Sequence, residues 1–411
     1  QLNSILVDSN RAIRERAWKS IMDLWQSRRF DLNELYTSML TLRAQIAANY
    51  GAPNFRDYAF RSYNRFDYDP DDCLRFHEAI ESAVVPAARR VYERKRVQLG
   101  LDRLRPWDVD VDSSGKPPLK PYTGQNELIQ KSLNIFQQVD PALAAHFATM
   151  AEEELLDLDT RKGKALGGYC SELAWRKRPY IFMNGDGIHD DVQTMLHEAG
   201  HAFHAFETAS LPYIWQWDVP MEFCEVASMG MELLSAPYLT KEFGGFYSPA
   251  DSARAVTEHL NGILTFLPYM AVVDSFQHWV YTHAEAALDP AACDETWAAL
   301  WKRFIPGVDW SGFEAELVTG WHRKLHIFHI PFYYVEYGMA QVGALQVWRN
   351  ALRDQAKAVD DYRSALKLGG TRPLPELFAA AGAEFRFDTP MLTELVSLVE
   401  ETLERLDSVQ Q

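Results

Sequence analysis

Two histidines four residues apart, with a glutamate directly after the first, form the segment His197-Glu198-Ala199-Gly200-His201, a match to His-Glu-x-x-His. On a helix, positions i and i+4 share one face, so both imidazoles can bind one metal ion, and that donor pair suits tetrahedral zinc. Glu198 is turned by about 100° from His197. It therefore stands beside the ion, where it can serve as general base toward a zinc-activated water. A chance match in a chain this long arises at the level of roughly a few per cent. Helical placement and apolar neighbours shrink that further.

Such a site needs a third ligand. His204 lies seven residues after His197, but the metzincin pattern would need Gly at position 204 and His at position 207, where His204 and Glu207 stand. A packing role fits His204 better. The segment Asp218 to Met229 offers two carboxylates, Glu222 and Glu225, and spacing does not choose between them. Glu225 and Glu232 are seven apart, on one helix face whose apolar side Met221, Val226, Met229 and Leu233 can supply. Taken alone, either carboxylate reads as a solvated helix residue.

The elements that must position these residues are mainly helical. From Asp8 to about Gly100 apolar residues recur at helical spacing (Ala17, Ile21, Leu24, Trp25; Leu35, Met39, Leu42, Ile46; Phe76, Ile80, Val84), which predicts several long helices. Pro106, Pro117, Pro118 and Pro121 with Gly115 and Gly124 mark an irregular connection. Helical spacing returns from Glu127 to about Leu158, and the β-prone run Tyr180-Ile181-Phe182-Met183 predicts a small sheet within 163–184. Asp190 and Asp191 are acceptable caps for a helix with apolar positions Val192, Leu196, Ala199, Phe203 and Phe206, which places the His-Glu-x-x-His segment inside it. The segments from Ala250, Cys293, Phe313 and Met391 onward are again mostly helical.

The chain has 411 residues, 47% of them hydrophobic, enough for a substantial core in two packed lobes. A formal charge of -16 without a dense Lys/Arg block argues against nucleic acid or an anionic membrane surface as partner. No run of about 20 apolar residues occurs; Pro268, Asp274 and His278 interrupt the greasiest stretch. Cys73, Cys170, Cys224 and Cys293 form no Cys-x-x-Cys pair and suggest neither a disulfide framework nor a thiolate zinc site. Reduced thiols in a cytoplasm fit best.

The run His197-Glu198-Ala199-Gly200-His201-Ala202-Phe203-His204, followed by Phe223-Cys224-Glu225-Val226-Ala227-Ser228-Met229-Gly230-Met231-Glu232, resembles the thimet oligopeptidase and oligoendopeptidase F family of zinc metallopeptidases. The resemblance implies Glu225 as third ligand of one Zn2+ ion, and Glu232 as a group orienting a zinc histidine. Upstream, 163–170 and 178–192 resemble the family's edge strand beside the substrate cleft, able to hold an extended peptide by β-augmentation. Downstream, 326–338 resembles the segment that donates hydrogen bonds to the substrate carbonyl, which implies His326 and Tyr337 as catalytic donors, with Tyr334 or Tyr333 second. Tyr334 and Tyr333 each share a helix face with Tyr337. His329 fits no family position.

The resemblance covers most of the chain and implies a mainly α, multi-helical zinc peptidase with a small β-sheet beside the active-site helix and a deep cleft between lobes. Residues 1–106 would form an N-terminal helical part and 107–411 the catalytic part. Family members usually carry a longer N-terminal part, and this chain opens at Gln1 without Met or a signal pattern. The expected activity is zinc-dependent endopeptidase cleavage of oligopeptides. A zinc aminopeptidase and a catalytically silent peptide-binding member are the alternatives; the intact Glu198 speaks against the latter.

Overall fold

The helical spacing of the first hundred residues becomes α1 (Arg11–Ser27), α2 (Arg29–Tyr50), α3 (Phe55–Ser62) and α4 (Pro70–Gln98) in a computed structural model that describes residues 5–165 and 167–410. Leu166, inside the 163–170 resemblance, lies outside the described residues. Asn10, Asn54 and Asp69 start three of these helices by accepting hydrogen bonds from first-turn amides.

Next come α5 (Gln125–Val139) and α6 (Pro141–Glu152). The helix expected to run to Leu158 stops earlier, because Glu154 takes a left-handed φ of 56°. The residues that follow form a strand, β1 (Leu156–Asp159). With β2 (Tyr169–Leu173) and β3 (Arg178–Gly185) it makes the small sheet, in the order β1-β3-β2. β1 runs parallel to β3, and β2 runs antiparallel, from Tyr169 opposite Phe182 to Leu173 opposite Arg178. Along β3, Pro179, Ile181 and Met183 are buried and their neighbours are not, the period-two pattern of a strand covered on one face. β1 and β2 are the outer strands, and β2 is mostly exposed.

The remaining helices are α7 (His189–Thr208), α8 (Met221–Ser235), α9 (Pro249–Thr282), α10 (Pro290–Phe304), α11 (Glu314–Val318), α12 (Leu325–His329), α13 (Tyr334–Ala351), α14 (Gln355–Leu366), α15 (Leu374–Ala380) and α16 (Thr389–Gln410). Pro268 sits inside α9 without ending it. Among the described residues no helix is long and apolar enough to cross a membrane.

The chain divides into two compact units, each assembled from separate stretches. The first comprises 1–118, 261–338 and 387–396. In it Trp18, Met22 and Trp107 pack with Trp310 and Phe313, and the buried Arg14 meets the buried Asp108 at 2.9 Å while Arg11 reaches the same carboxylate at 2.8 Å. The second comprises 119–260, 339–386 and 397–411 and contains the sheet, α7 and α8.

Candidate active site

α7 begins at an unusually well-satisfied turn. Asp191, in the first turn, accepts hydrogen bonds from the backbone amides of Asp186 and Ile188, each at 2.9 Å, and from the Tyr122 hydroxyl at 2.7 Å. The helix thus starts at His189, with Asp191 capping it from within. Val192, Leu196, Ala199 and Phe203 are fully buried as their spacing predicts, and Phe206, half-buried, stacks on His146. The opposite face carries His197 and His201, whose ring centres are 4.9 Å apart and whose side chains remain 23% and 20% exposed. They are held by a packed helix yet stay accessible.

α8 crosses α7 at Gly200. A Cβ there would lie 2.6 Å from both the Ala227 carbonyl oxygen and the Ser228 Cα, so only glycine permits this approach. Gly343 does the same on another side of α8, where a Cβ would lie 2.8 Å from Val226. The Tyr362 hydroxyl, donating at 2.7 Å to the Ala227 carbonyl, secures the α8 backbone at the crossing. Because α8 is packed on nearly all sides, Glu222 and Glu225 are only 4% and 3% exposed. The solvated-carboxylate reading fails for Glu225, and also for Glu232, whose side chain is only 13% exposed.

Of Glu222 and Glu225, it is Glu225 that turns toward the histidines. Its Oε2 lies 3.3 Å from His197 Nε2 and 3.6 Å from His201 Nε2, and ligand atoms of the three residues fall within 4.8 Å of one another. The Ser228 hydroxyl donates to the same carboxylate at 2.9 Å. Burial works to raise the Glu225 pKa, and His201, His197 and Ser228 outweigh it, so the group stays ionised. Glu222 is not in this group, and neither is His204, which packs edge-on to Phe223 and whose pKa burial lowers to about 3.

Glu232 accepts from His197 Nδ1 at 2.6 Å and from His259 Nε2 at 2.8 Å. Burial would raise its pKa; hydrogen bonds from His197 and His259 hold it down at about 2. The bond to Nδ1 leaves His197 Nε2 facing Glu225. His259, on α9, was not foreseen, and a lone histidine so far along the chain carries no sequence signal of this contact. Burial lowers the His201 pKa to about 4, keeping an unprotonated nitrogen available. At His197 burial also acts downward, but Glu225 and Glu232 raise the pKa well above the ordinary value. Two imidazoles set among ionised carboxylates make a donor set that fits a divalent cation such as zinc.

Glu198, 6% exposed, is not one of the converging three. Burial raises its pKa to about 7, with His197 opposing and Glu225 adding to the rise. A carboxyl poised there can take up and give back a proton near neutral pH.

In the first unit, His326, Tyr333, Tyr334 and Tyr337 form one aromatic cluster. The His326 ring lies 5.0 Å from Tyr334, 5.8 Å from Tyr337 and 6.0 Å from Tyr333. Tyr334 is buried against Phe266 and Tyr269, its pKa driven well up by burial, whereas Tyr333 and Tyr337 are half-buried. His329 is exposed. The segment is fixed from behind by Phe332, fully buried with a left-handed φ of 67°. Its amide donates to Gln277 at 2.9 Å, its carbonyl accepts from Arg65 at 2.5 Å, and Arg65 also meets Glu336 at 2.6 Å.

The model of Peptidase family M3 matches residues 4–397 of this chain. Among curated relatives, Oligopeptidase PepF of Bacillus subtilis is 23% identical over 332 residues, covering 79% of this chain and 47% of the relative. An oligoendopeptidase F homolog of Lactococcus lactis is 22% identical over 428 residues, covering 99% and 66%. The chain thus spans about half to two thirds of the length of these relatives. Among solved structures, PZ peptidase A with an inhibitor superposes with a TM-score of 0.91 at 30% identity, over 98% of this chain and 71% of that one. A structure assigned as oligoendopeptidase F gives a TM-score of 0.91 at 32% identity, over 98% and 70%.

Proposed function

The chain belongs to peptidase family M3, and from that premise we propose that it is a zinc-dependent endopeptidase acting on oligopeptides. The observation that carries this reading is the convergence of His197, His201 and Glu225 with the buried Glu198 beside them on the same helix. The two histidines and Glu225 would hold the ion, which when bound supplies Lewis-acid activation of water and of the scissile carbonyl.

The chain's own residues do the rest. Glu198 accepts the proton of the attacking water and returns it to the leaving amine. Glu232, backed by His259, keeps the His197 ring oriented. The open edge of β2 can pair with an extended peptide, fixing the scissile bond by main-chain hydrogen bonds. We assign Tyr337 and His326 to hydrogen-bonding the carbonyl oxygen as it gains charge, in keeping with the family resemblance. Tyr333, half-buried like Tyr337, is the better second donor; Tyr334 is committed to packing.

The test is hydrolysis of an internally quenched peptide blocked at both ends, with mass analysis of the fragments, with and without a zinc chelator. Internal cleavage that the chelator stops is expected. Cleavage confined to unblocked peptides would indicate an aminopeptidase, and no cleavage by zinc-loaded protein would overturn the enzymatic reading.

A further inference from the structure

Away from the histidines of α7, the first unit buries a second set of metal-binding side chains. Cys73 and His77 stand four apart on α4, and Asp274 and His278 stand four apart on α9, so each pair shares one helix face. All four are buried: Cys73 and Asp274 are 0% exposed, His77 2% and His278 3%. Ligand atoms of Cys73, Asp274 and His278 lie within 4.8 Å of one another. His77 Nε2 is 2.9 Å from Asp274 Oδ2, and His278 Nε2 is 3.2 Å from the same oxygen.

The satisfaction of these groups is incomplete in a telling way. Among the described residues, Asp274 Oδ1 and His278 Nδ1 have no hydrogen-bond partner, and His278 Nε2 has only its 3.2 Å contact with Asp274 Oδ2. The His278 ring instead meets Phe60 and Phe332 edge-on. Leaving a carboxylate oxygen and an imidazole nitrogen unsatisfied in such surroundings is costly, unless something else completes them. The Ser275 hydroxyl lies 2.9 Å from His77 Nδ1 and turns Nε2 of that ring toward Asp274, the arrangement in which an outer hydrogen bond aims a ligand.

We propose that Cys73, Asp274 and His278 are the ligands of a second, structural divalent metal ion of the zinc type, with His77 as the nearest fourth donor. In a tetrahedral site with bonds of about 2.0–2.3 Å, donor atoms stand about 3.3–3.8 Å apart; here His278 Nε2 stands 3.2 Å from Asp274 Oδ2, and the Cys73 thiol lies within 4.8 Å of its partners' ligand atoms. One thiolate and one carboxylate balance the double positive charge, so the cluster is neutral, as a buried group must nearly be. Burial holds the Cys73 thiol protonated, so binding exchanges its proton for the metal: the S–H bond breaks, the S–metal bond forms, and the proton leaves to solvent. Scanning the sequence for paired cysteines could not reveal this set, since its thiol partners a histidine one helical turn away and two residues far along the chain.

The ion would enter while the chain folds, so the test is made on full-length protein expressed in cobalt-supplemented medium. Two readouts are used: cobalt per chain and the near-ultraviolet thiolate-to-cobalt charge-transfer band, which the His197, His201, Glu225 set cannot give because it contains no sulfur. About two equivalents and the band are expected, falling to about one equivalent with the band intact when His197 and His201 are both changed to Ala. Cys73→Ser should abolish the band and leave the ion at the α7 histidines. Cobalt-loaded wild type without the band, or a band that survives Cys73→Ser, would overturn the proposal. The wild-type spectrum decides even if that variant does not fold. Loss of peptidase activity alone would bear on the other site only.

Discussion

Glu222 and Glu225 lie three residues apart on a helix buried on nearly all sides, yet only Glu225 reaches the two imidazoles. Glu225→Ala should therefore lose zinc and Glu222→Ala should keep it, as metal analysis of the purified variants would show; the reverse result would undo the ligand assignment. Glu198→Gln should retain full zinc while turnover falls by about 10²–10⁴-fold. Glu232→Ala should weaken zinc binding by about 10–100-fold, measured by competition with a chromophoric chelator. If affinity is unchanged, Glu232 does not orient His197. The pair His197 and His201 was legible because both sit within one helical turn. Glu225 needed the family likeness, since which of two carboxylates faces the imidazoles depends on the angle at which α8 crosses α7. His259 was not legible at all: its contact with Glu232 exists only through tertiary packing.

At the scale of elements, the glycine within His-Glu-Ala-Gly-His explains itself as the crossing point of α7 and α8. Gly200→Ala places a methyl group 2.6 Å from backbone atoms that cannot turn aside, so α8 must shift and carry Glu225 with it. A stability loss of about 1–3 kcal/mol is expected, together with weaker zinc binding. Gly262→Ala, in α9 with nothing within 4 Å of the added methyl, is the control and should be neutral or slightly stabilising. Urea denaturation and zinc titration of both variants check this. Helices with clean apolar spacing, such as α1, α4 and α7, were legible from periodicity. β1 was not, because four residues are too few to display a period and its pairing with β3 follows from a left-handed residue at Glu154. Phe332 escaped for a related reason. A buried aromatic residue with positive φ is tolerated only because Gln277 and Arg65 fix its amide and carbonyl.

For the molecule as a whole, the passage between units at 118/119 falls in the proline-rich connection and that at 386/387 between α15 and α16, whereas those at 260/261, 338/339 and 396/397 fall inside α9, α13 and α16. No change of composition marks a boundary inside a helix, which is why a chain read linearly does not display interleaved units. Acid sensitivity should reside partly in the first unit's buried ion pair. Burial acts to raise the Asp108 pKa, but Arg11, the Arg105 amide and Arg14 hold it below the ordinary carboxylate value. Its contribution is therefore present above that value and lost as pH falls through the lower folded one. Asp108→Asn should cost about 3 kcal/mol near pH 7, and the gap from wild type should close below about pH 4. Denaturation curves at both pH values would show it; a gap independent of pH would mean that charge plays no part. The open strand β2 brings a liability of its own. Although the Cys170 amide on it donates a hydrogen bond to Glu198, an edge that no described strand covers does not discriminate between a guest peptide and the same strand of another copy. Tyr169 and Leu173 on it, and Trp175 just beyond, are large and exposed, whereas the strand's brevity and Glu172 are what discourage such pairing. Crowding copies together should thus breed strand-exchanged dimers that block the very edge a peptide would use, so specific activity should decline as protein concentration climbs.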